Sequence, residues 1–234
     1  MPKIGLFGFL YLLLIPFIVF SGQPPLFLFL SLSLGYLLFN LFQKPSLGQF
    51  LIFLALIVFA LTILKPRLGL DLGLLNAINA QRGEHPQFQS SLLSRLIHNK
   101  TDLSLTFINN FDKLLSPMAL FASGFWHRLD QYYPLGYLFP WDIYFLYRYF
   151  RFAHREKPVH NLYFFVPALS LLLLLTGLIY VDQALVFSFA VLFFLALLSV
   201  VGFSTTSKKT QLGFLIANIV YLLYQLNITA YFKL

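Results

Sequence analysis

Two short stretches gather residues able to do chemistry outside the apolar part of the chain. "QRGEHP" sets Arg82, Glu84 and His85 around a glycine, and "RLIHNK" sets Arg95, His98, Asn99 and Lys100 close together. Guanidinium, ammonium and imidazole cations with amide donors suit a phosphate or pyrophosphate, and beside a membrane such an anion is a lipid head group. Arg82, His85, His98 and Lys100 are therefore candidate ligands for a lipid phosphate. Glu84 and Asp102 are nearby carboxylates and the candidate bases toward an acceptor hydroxyl. The plainer alternative is an interfacial loop with solvated charges and ordinary helix caps. The histidines lack the i, i+4 spacing with an intervening Glu that a zinc protease helix needs, and neither G-x-S-x-G nor a P-loop is present. With no Cys in the chain, thiolate ligation is excluded, and no metal or cofactor is expected.

The elements that position these residues must be membrane helices. Of 234 residues, 59% are hydrophobic and 10% charged, with mean hydropathy +0.79; soluble domains carry about one-quarter charged residues. About 20 apolar residues cross a bilayer as a helix, and such runs occur at Ile4 to Phe20, Pro25 to Phe42, Leu47 to Leu64, Leu162 to Val181, Ala184 to Phe203 and Leu212 to Phe232. They are apolar on every side, whereas a transmembrane barrel alternates polarity. The first run is long for a signal peptide and lacks a small-x-small cleavage site before "SGQPPLFLFL", so it reads as a retained helix. The net charge of +8 sits at the ends of these runs, which points away from nucleic acid.

The number of crossings turns on "LGYLFPWDIYFLYRYFRFAHREK", Leu135 to Lys157. If about Tyr133 to Tyr149 cross as a helix, one side collects Lys3, Lys44, Arg148, Arg151, Arg155, Lys157, Lys208 and Lys209, as the positive-inside rule asks. The short outer connections "SGQPP" and "VDQ" then carry no basic residue. Tyr132, Tyr133, Tyr137 and Trp141 are expected at one interface, with Tyr147, Tyr149, Arg148 and Arg151 snorkelling at the other. Asp142 is tolerable near the outer interface but needs a partner at depth. The expected fold is an all-α polytopic bundle of about seven spans: three helices in 1–64, an exocytoplasmic segment over 65–134, and four helices in 135–234. The N-terminus is expected in the cytoplasm and the C-terminus outside.

Within the outer segment, "SLLSRLIHN" is amphipathic, and a second helix starts after Thr101 or Asp102. That helix places Leu103, Phe107, Phe111 and Leu114 on one face and stops at Ser116-Pro117. Both are expected to lie on the bilayer surface or cap the bundle. Asn218, Gln225 and Asn227 in the last span are expected to serve packing through interhelical hydrogen bonds.

Over roughly residues 76 to 146 the chain resembles bacterial GT-C class membrane glycosyltransferases of the dolichyl-phosphate-mannose mannosyltransferase-like kind. The resemblance rests on Arg82-Gly83, His98-Asn99-Lys100, Asn110, Ser116-Pro117 with Leu120-Phe121, Gly124, and Leu135-Gly136 leading to Trp141-Asp142. It implies a polyprenyl-phosphate sugar donor, a periplasmic loop that returns into the membrane, and residence in the bacterial inner (plasma) membrane. Such enzymes carry an essential acidic residue in the loop after their first helix, where this chain has "SGQPP". The chain is also about half their usual length, resembling their C-terminal half. Three functions follow as expectations: a glycosyltransferase or part of one; a non-catalytic membrane subunit packed against a partner protein; and, with least support from its nearly uncharged spans, a small-solute transporter.

Overall fold

The computed structural model describes residues 5–16, 24–65, 104–105, 107–123, 136–156, 163–179 and 181–231, with backbone only at 152–156, 181–183 and 225–231. Among them the regular structure is helical, without a β-strand. The helices are α1 (Leu6–Leu14), α2 (Pro25–Gln43), α3 (Leu47–Leu64), α4 (Asp142–Glu156), α5 (Phe165–Leu178), α6 (Val181–Ser204) and α7 (Lys208–Tyr231). A further helical stretch at 107–115 ends at Ser116 and leads into a π-turn, Ala119–Ser123. The sequence predicts a stop at Ser116-Pro117; the helix is broken at Ser116 alone and resumes at once over 117–118.

Local chemistry sets several ends. Pro25 occupies the first turn of α2, where its missing N–H is no loss. Ser46 caps α3 by accepting from the Gln49 N–H at 3.2 Å. At the far end of α3, Lys65 closes the helix in the left-handed region at φ 42°, and Pro66 follows.

Three helices among the described residues are long and apolar enough to cross a membrane: Pro25–Gln43, Leu47–Leu64 and Ala184–Ser204. The first two start where the sequence predicts. α5 is apolar but shorter. The window within α6 is 94% buried, because α1, α2, α4 and α5 all pack on it. A helix that is apolar all round belongs at the centre of a bundle, and α6 is the axle here.

Small residues let neighbours approach that axle, as membrane helices require where no hydrophobic drive separates protein from lipid. A Cβ on Gly35 of α2 would lie 2.5 Å from the Ala190 carbonyl oxygen and 2.9 Å from Phe193 Cβ. A Cβ on Gly202 of α6 would collide with the Phe145 carbonyl of α4.

The stretch from Leu135 to Lys157 differs from its expected form. Its helix begins at Asp142 and runs to Glu156, not from Tyr133 to Tyr149, and residues 136–141 are non-helical. Contacts along α6 show why. Tyr137 meets the ring of Phe189 at 5.7 Å, Asp142 meets Ser199, and Arg148 meets Thr205. Six residues of α4 thus match the six from Ser199 to Thr205, just past the end of α6, side by side. Between Tyr137 and Asp142, however, five residues descend past ten of α6, about 15 Å at 1.5 Å per residue. Helical backbone would cover about half of that, so the chain opens out. Tyr137, Leu138 and Phe139 are consequently buried rather than placed at an interface, and Tyr149 is also buried instead of snorkelling.

Gly35→Ala and Gly202→Ala should each destabilise the fold by about 1–3 kcal/mol through overpacking. Gly213→Ala, on α7 with open space around it, should be neutral or stabilising by up to about 1 kcal/mol. Thermal unfolding in mild detergent checks this; equal tolerance of all three would contradict the packing described.

Candidate functional site

The candidate phosphate ligands Arg82, His85, His98 and Lys100, and the candidate bases Glu84 and Asp102, lie outside the described residues. Among the described residues no group of three or more His, Asp or Glu side chains is arranged to hold a metal.

What the described residues do build is a buried polar site around Asp142, at the first turn of α4. Its carboxylate is fully buried and accepts three hydrogen bonds. Tyr11 of α1 donates its hydroxyl to Oδ1 at 2.7 Å, Ser199 of α6 donates to the same oxygen, and the Phe139 N–H donates to Oδ2 at 2.8 Å. The last bond ties the carboxylate to its own approach chain, and the Asp142 N–H returns to the Phe139 carbonyl at 2.9 Å. No counter-cation stands at the carboxylate among the described residues, where two hydroxyls and an amide compensate the buried acid.

Aromatic rings seal the site. Tyr11 packs edge-on to Phe139 at 6.0 Å and Phe145 at 5.7 Å, and lies 4.5 Å from Phe203. Trp141 stacks on Phe139 at 5.2 Å and donates its indole N–H to Asn218 Oδ1 of α7 at 2.9 Å. Asn218 thus ties α7 to the non-helical stretch before α4 rather than to another helix, while its Nδ2 is buried without a partner. Gln225 and Asn227 side chains lie outside the described set. Asp142 and Tyr11 have no exposed surface, so this arrangement holds a carboxylate in place.

The second half of the assembly is the 107–123 segment. Asn110 Nδ2 donates to the carbonyls of Gly177 and Ile179, both at 2.9 Å, satisfying acceptors that the end of α5 leaves open. Phe107 packs against Gly177. Ser116 Oγ accepts from the Ala119 N–H at 3.2 Å, starting the π-turn. The Tyr137 and Leu138 N–H groups then donate to the carbonyls of Ala119 and Leu120, at 3.3 and 2.8 Å. Gly136 lies so close on Leu120 and Phe121 that no Cβ fits there. Non-helical backbone inside an apolar bundle must find its partners in protein, and these two segments supply them to each other.

Sequence reasoning identified Asp142 as needing a partner but missed Tyr11 and Ser199. Their one signal was polarity inside otherwise apolar runs.

Asp142→Ala should destabilise the protein by about 2–5 kcal/mol, since it leaves two hydroxyls and an amide without their acceptor. Tyr11→Phe and Ser199→Ala should each have a smaller effect. Because both act on Oδ1, their double-mutant cycle should show coupling of about 0.5 kcal/mol or more; strict additivity would contradict a shared site. Comparison with protein-family models, curated proteins and solved structures returned no match.

Proposed function

We infer that the chain is a bacterial plasma-membrane protein of the polyprenyl-phosphate-sugar glycosyltransferase kind, holding a lipid phosphate at its outer face through Arg82, His85, His98 and Lys100. In this reading the chain crosses about seven times, with its N-terminus cytoplasmic and its C-terminus outside. The crossing through Leu135–Lys157 combines the non-helical stretch with α4. Glu84 and Asp102 stand near the acceptor.

One observation carries the reading. Asn110, Ser116, Leu120-Phe121, Gly136 and Trp141-Asp142, residues on which the resemblance rests, each have a specific contact in the same buried assembly. The distribution of basic side chains supports the orientation. Lys44, Arg148, Lys208 and Lys209 lie at the end of the bundle where α2, α4 and α6 meet the α6–α7 turn, and Arg151 lies one turn beyond Arg148. Two hydrogen bonds of 3.1 Å from Arg148 to Thr205 and one of 2.8 Å from Gln43 to Tyr149 tie that end together.

The absence of a carboxylate from "SGQPP" favours a second reading, a non-catalytic subunit beside a partner that carries it. A lone monomer in mild detergent that still transfers sugar would overturn that alternative.

Photo-crosslinking with a photoreactive polyprenyl phosphate tests the main reading. The unaltered chain should label, and Arg82→Ala or Lys100→Ala should reduce labelling at least tenfold; undiminished labelling of both variants would refute it. Cysteines at Ser90, Pro158 and Ser207 in this Cys-free chain test the topology. Labelling from outside should reach position 90 alone.

A further inference from the structure

A cavity of about 480 Å³ opens between the start of α1 and the turn that joins α6 to α7. We propose that it binds the phosphate-bearing head group of an anionic lipid, at the end of the bundle opposite the 107–115 segment and independently of the outer cluster.

Three observations carry this. The volume falls within the range of small-molecule sites, about 300–1,000 Å³. Its walls divide by chemistry: Lys208, Thr206, Ser204 and Gln211 lie on one side, and Leu6 and Phe7 on the other. Leu6 is 71% exposed, so the apolar wall continues onto the outer surface of the bundle, where an acyl chain lies. Finally, the cavity sits where the apolar α6 ends and a basic region begins. Lys208 and Lys209 are both exposed, and Arg148 is bonded to the adjoining Thr205. The described acidic side chains are elsewhere, Asp142 sealed in the core and Asp112 on the 107–115 helix. Two lysines open α7, the helix end where cations are disfavoured, and an anion between them and the cavity wall offsets that arrangement.

The local hydrogen bonds fix which group does the binding. Ser204 and Thr206 donate their hydroxyls to the Val200 and Phe203 carbonyls, at 2.9 and 2.7 Å, and the Gln211 amide reaches the carbonyls of Phe203, Ser204 and Thr206. These polar groups brace the turn, and among the described residues the Lys208 ammonium is the cation that lines the cavity. Removing its charge should release the lipid and leave the turn intact.

The test is lipid titration of the purified full chain in mild detergent, read by native mass spectrometry, with short-chain phosphatidylglycerol as probe. Lys208→Gln should weaken binding at least fivefold, whereas Lys113→Gln, which removes the same charge from the 107–115 helix, should leave it unchanged. Short-chain phosphatidylcholine should bind at least fivefold more weakly than phosphatidylglycerol. Equal binding by the two lipids, or equal loss in the two variants, would overturn the proposal. Inorganic phosphate is the third arm: if it matched the lipid at equal concentration, the apolar wall would contribute nothing and the assignment to a lipid would fail.

Discussion

A carboxylate sealed inside an apolar bundle is tolerable only if donors surround it, and the donors around Asp142 come from three separate segments. Tyr11 belongs to α1, Ser199 to α6, and the Phe139 N–H to the chain leading into α4. Satisfying one charge therefore fixes the relative placement of the first helix, the central helix and the non-helical stretch. Each donor is weak by itself, worth about 1 kcal/mol in net stability. Losing the acceptor strands all three together, which is why the site acts as a unit.

Small residues on α6 and α2 let the helices pack closely enough to bury that charge. Gly202 allows α4 to lie against the central helix one turn below Ser199, and Gly35 lets α2 approach the same helix at Ala190 and Phe193. The paired carbonyls of Ala119 and Leu120 then receive the amides of the chain that descends to Asp142. Asn110 closes the end of α5 in the same way. The Tyr137 and Leu138 amides find partners in another segment and the Phe139 amide in the Asp142 carboxylate, as irregular chain inside an apolar protein requires.

The legibility of these features in the sequence follows their physics. Pro25–Gln43 and Leu47–Leu64 were readable because long uncharged runs have few alternatives, and the break before Pro117 because proline cannot continue a helix smoothly. The need of Asp142 for a partner was readable from its cost alone. Its partners were not: Tyr11 lies 131 residues away and Ser199 57, and a lone hydroxyl in an apolar helix has several possible roles. "LGYLFP" reads as membrane helix by hydropathy, which does not distinguish a lipid neighbour from a protein one. Tyr137 and Tyr149 fit interfaces for the same reason, since aromatic belts and buried aromatic clusters share a composition. For Arg82, Glu84, His85, His98, Lys100 and Asp102 the sequence is the whole basis, as they fall outside the described residues.

The central claim is that the Asp142 network holds the non-helical stretch inside the bundle, away from water. The most direct measurement is thiol labelling of a single cysteine at Leu138, in native membranes, with a membrane-permeant maleimide. The account predicts no labelling when Asp142 is intact and rapid labelling when Leu138→Cys is combined with Asp142→Ala. Equal labelling in both backgrounds would contradict it.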